Sequence, residues 1–262
     1  TQDVSDMFRV SQKLYGREPE TRQLLAALDR VSEGSFEVLL VAGFSGIGKS
    51  ALVHEIYRPI TRDRGYFIAG KFDQFKRDIP FESLIHAFRE LINQILTESE
   101  DSIAVWKEKL LKVLGRNGRI IVDVIPEVEL IIGPQAPVPD LGGNEAQNRF
   151  NLIFQNFVRT FASGDHPLCI FLDDLQWADR PSLNLLQILA TDVLTGHILL
   201  IGAYRDNEVE DGHPLLATLD EIRQKQTAIT TITLTPLAGA DVEQLIADTI
   251  RRDTATVAPL AE

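Results

Sequence analysis

Two short segments hold residue types that could do chemistry together. The first is Gly43-Phe44-Ser45-Gly46-Ile47-Gly48-Lys49-Ser50, which fits the spacing Gly-x-x-x-x-Gly-Lys-Ser/Thr. Glycines let the backbone turn tightly, so that successive N–H groups point at phosphate oxygens. Lys49 can reach the β- and γ-phosphates of a nucleotide, and the Ser50 hydroxyl can ligate Mg²⁺. A helix starting near Lys49, with Ala51 in its first turn, adds its positive N-terminal end. A chance match in a chain this long is on the order of one in a hundred. An apolar run before the loop and a helical pattern after it make an incidental glycine turn rarer still.

The second segment is Cys169-Ile170-Phe171-Leu172-Asp173-Asp174, an apolar run ending in two carboxylates. In a parallel sheet, ligands collect at the carboxyl ends of the strands. Asp173 would then hold Mg²⁺, directly or through water, and Asp174 would orient or deprotonate an attacking water. Which acid does which job stays open, and a polar turn after a buried strand is the alternative for both. Asp179 is expected to cap a helix rather than serve as a third ligand. Arg205 follows another apolar run and could sense a γ-phosphate or stabilise charge building in a transition state. Its alternative is a surface arginine paired with Asp206 or Glu208. Lys71 and Asp73 also follow a strand-like run but rank below these. His54, His86, His166, His197 and His213 show no metal-ligand spacing and are expected to be structural or surface groups. Cys169 is expected in the core, and Trp106 and Trp177 as packing anchors.

The elements that must position these residues alternate between strand and helix. Strands are expected over residues 36–42, 66–72, 168–173, 198–203 and 229–234, from short apolar or β-branched runs. Helices are expected over 17–31, 49–57, 81–96, 103–114, about 150–161, 182–191, 215–223 and 241–251. The clearest has Phe81, Leu84, Ile85, Phe88, Leu91, Ile92, Ile95 and Leu96 on one face. Pro126, Pro134, Pro137 and Pro139, then Gly142 and Gly143, mark an irregular connection. This alternation predicts an α/β fold with a mostly parallel sheet covered on both faces. A boundary is expected near Thr235-Pro236-Leu237, dividing residues 1–235 from the first part of a helical lid over 236–262.

The chain has 262 residues, of which 44% are hydrophobic and 24% charged, enough for a sizeable core. No run approaches the roughly 20 apolar residues of a membrane span. The first residue is Thr1 and no signal-like run follows, which suggests an excised fragment without a secretion signal. A single cysteine, Cys169, excludes an internal disulfide and a Cys-based zinc site, and suits a cytoplasmic setting. A net charge of −12 disfavours general nucleic-acid binding.

Several segments together resemble a known family. Leu14-Tyr15-Gly16-Arg17-Glu18, the phosphate loop, Phe171-Leu172-Asp173-Asp174-Leu175-Gln176-Trp177-Ala178-Asp179 and Gly202-Ala203-Tyr204-Arg205 resemble the STAND class of P-loop ATPases (signal-transduction ATPases with numerous domains). Lys71-Phe72-Asp73-Gln74-Phe75 and Glu145-Ala146-Gln147-Asn148-Arg149-Phe150 look more narrowly like the AAA-type ATPase module of large bacterial signalling proteins. The resemblance spans residues 15–250. It implies a P-loop three-layer sandwich with strand order 5-1-4-3-2, and Gly16 and Arg17 near the base or ribose. It implies Asp173 serving Mg²⁺, Asp174 serving water activation and Arg205 sensing the γ-phosphate. It also implies neighbouring kinase-like, GAF and histidine-kinase domains as partners. Such proteins continue into a fuller helical lid than the single helix visible over 241–251.

These readings converge on binding and slow hydrolysis of Mg-ATP to ADP, as a conformational switch inside a signalling protein. Two alternatives remain: a P-loop kinase of a small molecule, and a non-hydrolysing scaffold that keeps ADP as a structural cofactor. A GTPase is disfavoured because no Asn-Lys-x-Asp sequence occurs, and protein-kinase signatures are absent. A nucleotide-dependent oligomer that supplies an arginine from a neighbour stays open.

Overall fold

The computed structural model describes residues 13–62, 65–76 and 79–250. Five strands form one sheet: β1 (Phe36–Ala42), β2 (Tyr66–Lys71), β3 (Leu168–Asp173), β4 (Ile198–Tyr204) and β5 (Ala228–Thr233). Their order is β2-β3-β4-β1-β5, and every pairing is parallel. That is the expected 5-1-4-3-2 order, with the sheet wholly rather than mostly parallel.

Strand side chains alternate between faces, and the core divides accordingly. Val38, Leu40, Ile68, Ile170, Leu172, Ile198 and Leu200 join one buried cluster. Leu39, Val41, Phe67, Cys169, Phe171, Leu199 and Ile201 join the other. The second face is covered by α1 (Glu18–Ser32), α2 (Lys49–His54) and α3 (Tyr57–Arg62). The first is covered by α4 (Glu82–Ile95), α5 (Glu100–Leu114), α6 (Gly118–Val122), α7 (Val128–Ile132), α8 (Gly143–Phe161), α9 (Arg180–Thr191) and α10 (Pro214–Gln224). Both faces of the central strands β1, β3 and β4 are thereby buried, as their near-continuous apolar sequences require. An aromatic cluster joins α4 to α8, with Phe88 ring centroids 5.4 Å from Phe154 and 5.7 Å from Phe157. Trp106 is buried with its ring centroid 5.4 Å from that of Phe161, as the packing anchor expected.

Two sequence expectations need correction. A single helix over 49–57 is instead α2 and α3, parted at Glu55 and Ile56. Pro59 lacks the N–H that an unbroken helix would need there, but fits the first turn of a new one. Tight i→i+3 bonds from Glu55 N to Leu52 O and from Ile56 N to Val53 O close α2. The connection marked by Pro126 to Gly143 is not wholly irregular, because α7 lies within it. Val128, Ile131 and Ile132 bury its apolar side, and tertiary packing sustains a helix too short to stand alone.

The last described element is α11 (Gly239–Ile250). It meets the segment before α1: the Tyr15 hydroxyl donates to Asp248 Oδ2 at 2.7 Å. Gly16, at φ +62°, is pressed against the Asp241 carboxylate, which occupies the space a Cβ would take. The expected excised start at Thr1 and the part of the expected lid beyond residue 250 fall outside the described residues. Among the described residues, no helix is long and apolar enough to cross a membrane.

Candidate functional site

Register fixes where the chemistry sits. Ala42 pairs with Tyr204, Leu172 with Gly202, and Lys71 with Asp173. The carboxyl ends of four neighbouring strands therefore finish on one rim, where parallel sheets bind ligands. β1 runs into the phosphate loop, β3 into Asp173 and Asp174, β4 into Arg205, and β2 ends on Lys71. A cleft of about 250 Å³ there is lined by Gly46, Gly48, Lys49, Ser50, Asp173 and Asp174, together with Ser45, Ala51, Lys71 and Arg205.

The loop is shaped by backbone that side chains resist. Gly46 has φ +78° and Gly48 φ +101°, with open space where a Cβ would stand. The requirement for glycine there is conformational. Lys49 is 7% exposed, and its ammonium donates to the Gly43 and Phe44 carbonyls at 2.8 and 2.9 Å. Burial pushes its pKa down, and the nearby Asp173 and Asp174 oppose that shift. Gly43 and Ile47 face inward, Gly43 toward the Leu234 carbonyl and Ile47 against the core. Phe44 is exposed.

The acid pair divides its contacts. Asp173 Oδ2 accepts from the Ser50 hydroxyl at 3.0 Å, and its Oδ1 accepts from the Asp174 N–H at 3.0 Å. Mg²⁺ in nucleotide sites takes one or two protein oxygens and fills the rest from phosphates and water. The adjacent Ser50 and Asp173 oxygens fit that small share. Among the described residues, no larger cluster of His, Cys, Asp or Glu is arranged to hold a metal.

Asp174 is buried and adopts φ +55°, a left-handed conformation uncommon outside Gly, Asn and Asp. Its Oδ2 lies 3.2 Å from Lys71 Nζ and its Oδ1 3.5 Å from Arg205 Nε. The Gln176 amide also donates to Oδ1 at 2.9 Å. Arg205 in turn pairs with Glu208 at 2.7 Å, as its surface alternative anticipated, and lies over the Trp177 ring at 4.8 Å. Its hydrogen bond to Glu208 raises its pKa, so it stays cationic. Trp177 packs against the core and also carries Arg205. In a chain of net charge −12, three cations thus converge on one small cleft.

Lys71 and Gln176 are the residues that sequence reasoning undervalued. Lys71 reaches the site only through the β2–β3 register, which no local pattern shows. Asp179 caps α9, accepting from the Ser182 N–H at 2.8 Å and the Ser182 hydroxyl at 2.6 Å. His213 caps α10 through the Leu215 N–H, and a His197 ring nitrogen meets the Val31 carbonyl. Gly16 and Arg17 do not line the phosphate cleft. Arg17 is buried, donates to the Thr235 carbonyl at 2.6 Å and borders a neighbouring cavity of about 1010 Å³ that also reaches Ala51.

The AAA ATPase domain model matches residues 13–201. Hybrid signal transduction histidine kinase G of Dictyostelium discoideum is 40% identical over 187 residues, which is 71% of this chain and 5% of that protein. Histidine protein kinase 1 of Candida albicans is 22% identical over 169 residues, 59% of this chain and 7% of that one. The chain thus spans under a tenth of the length of these relatives. They are eukaryotic, so they lend no support to the bacterial setting implied by resemblance. Among solved structures, Cdc6p from Pyrobaculum aerophilum matches with a TM-score of 0.54 at 15% identity, covering 95% of this chain and 53% of that one. At that identity the match speaks for the fold, an α/β P-loop architecture.

Proposed function

The chain belongs to the AAA ATPase domain family, and from that premise we propose that it binds Mg-ATP and hydrolyses it slowly as a conformational switch within a multidomain signalling protein. The observation that carries this reading is the convergence of Lys49, Ser50, Asp173, Asp174 and Arg205 on one cleft. The backbone of Gly46, Gly48 and Lys49 would hold phosphate oxygens at the start of α2. Lys49, now held by two carbonyls, would exchange them for β- and γ-phosphate oxygens. Ser50 and Asp173 would hold Mg²⁺, which when bound neutralises charge on the phosphates. Asp174 would take a proton from water as the water oxygen attacks the γ-phosphorus and the bond to ADP breaks. Arg205 would face the charge building on the transferred group.

Occupancy of the acid supports the slow turnover proposed. The Asp174 carboxylate already faces Lys71, Arg205 and Gln176, and these contacts compete with an attacking water for its oxygens. Residues 1–235 are assigned to the ATPase domain and 236–262 to the first part of a lid, in line with the STAND class. Contacts of Tyr15 and Gly16 with α11 support a lid that reads the nucleotide state through the segment before α1. Arg17, which borders the same cavity as Ala51, and Gly16 before it are assigned to the base and ribose end. A setting among kinase-like, GAF and histidine-kinase domains in the cytoplasm suits a chain whose relatives are histidine kinases.

A second reading has one observation in its favour. A cavity of about 600 Å³ shares Ser50, Lys71 and Asp173 with the phosphate cleft and is walled by Phe72, Phe171 and Trp177. A small acceptor there would make the chain a kinase. Phosphate release and phosphoryl transfer are told apart by product analysis with Asp174→Asn as control. The ATPase reading expects free phosphate from the unaltered chain, and about a 100-fold slower release from the variant at near-equal Mg-ATP affinity. Release at the unaltered rate would remove Asp174 from the chemistry.

A further inference from the structure

Gln176 is 2% exposed and lies in the short turn Leu175–Trp177 that follows the acid pair. Both ends of its side-chain amide are used. Nε2 donates to Asp174 Oδ1 at 2.9 Å, and Oε1 accepts from the Arg205 backbone N–H at 3.2 Å. The orientation is fixed by these partners. Reversing the amide would set its NH₂ against an N–H and its carbonyl against a carboxylate. One buried side chain therefore ties the acid at the end of β3 to the backbone at the end of β4.

Resting on the hydrolysis reading above, we propose that Gln176 is a positioning residue for that reaction: it holds the Asp174 carboxylate and couples its position to Arg205. Asp174 needs such a hold. Its backbone sits in the left-handed region at φ +55°, and Lys71, which faces its other oxygen, has a side chain 67% exposed. A long, solvated lysine fixes a carboxylate less firmly than a buried amide with two bonded ends. The same link gives the switch a route. When the Arg205 side chain gains or loses contact with a γ-phosphate, any shift of its backbone moves the amide, and the amide moves the carboxylate. The geometry of water activation then depends on whether Arg205 is engaged.

Gln176→Met tests this, because it keeps the length and packing of the side chain while removing both hydrogen bonds. We expect kcat for phosphate release to fall about 10- to 100-fold, with the Mg-ATP dissociation constant within about threefold of the original. The discriminating measurement is a double-mutant cycle with Asp174→Asn. If Gln176 acts through Asp174, Gln176→Met has little further effect on kcat in that background. Multiplicative losses in the double variant, or a weakened affinity with unchanged kcat, would overturn the role while leaving the hydrolysis reading intact. Folding is controlled by the melting temperature of each variant, and Gln176→Glu provides a second probe, since it keeps an acceptor for the Arg205 N–H but loses the donor to Asp174. An unaltered chain that binds Mg-ATP and releases no phosphate would overturn both readings together.

Discussion

Asp179 offers a sharp test of structural against catalytic roles in the acidic segment. It lies six residues beyond Asp173 and could be mistaken for a further metal ligand. Asp179 is 8% exposed, and its carboxylate accepts from both the N–H and the hydroxyl of Ser182, itself fully buried. Asp179→Ala removes the cap of α9 and leaves two buried donors without a partner. Cap loss costs about 0.5–2 kcal/mol, and the stranded donors place this site near the upper end, about 2 kcal/mol. For a chain of this size that lowers the melting temperature by about 4–8 °C. Asp179→Ser restores an N-cap acceptor and should recover most of the loss. The assay is thermal unfolding by circular dichroism, paired with the Mg²⁺ dependence of ATP binding. A clear fall in melting temperature with unchanged Mg²⁺ dependence is expected. An unchanged melting temperature with weakened Mg²⁺ dependence would refute the capping argument and make Asp179 a ligand.

Other expectations follow from the same structure. Phe88 is fully buried among Phe154, Phe157 and Phe161, so Phe88→Ala should cost about 3–5 kcal/mol, read as a lower denaturant midpoint. The hydrogen bond from Tyr15 lowers the pKa of Asp248 below its ordinary value of 3.8. A carboxylate depressed in this way adds stability that is present above the ordinary value and is lost as pH falls through the lower, folded one. The tie between α11 and Tyr15 should therefore loosen only below about pH 3.8. An NMR titration should find Asp248 shifted upward in Tyr15→Phe.

Much of the architecture was legible because its signals are local. Apolar or β-branched runs gave the five strands, and the phosphate-loop spacing marked the junction of β1 and α2. Strand order came from resemblance, since periodicity says nothing about which strand lies beside which. What stayed hidden was either short or long-range. The five residues of α7 form a helix only because Val128, Ile131 and Ile132 are buried against other elements. Lys71 looks like the end of an ordinary strand until pairing puts it opposite Asp173. Gln176 is an unremarkable polar residue in sequence, and only the turn after β3 carries its amide between Asp174 and Arg205. Pro59, two residues beyond the helix expected over 49–57, was a local signal only for the separate first turn of α3.

The loop from β1 to α2 is proposed to be a working nucleotide site. Equilibrium calorimetry of Mg-ATP, Mg-ADP and Mg-GTP with the purified chain, and with Lys49→Ala, tests it most directly. Adenine-selective binding that Lys49→Ala weakens severely is expected, because the buried ammonium at the loop is the charge placed to meet the phosphates. Equal affinity for Mg-ATP in the unaltered chain and in Lys49→Ala would contradict it.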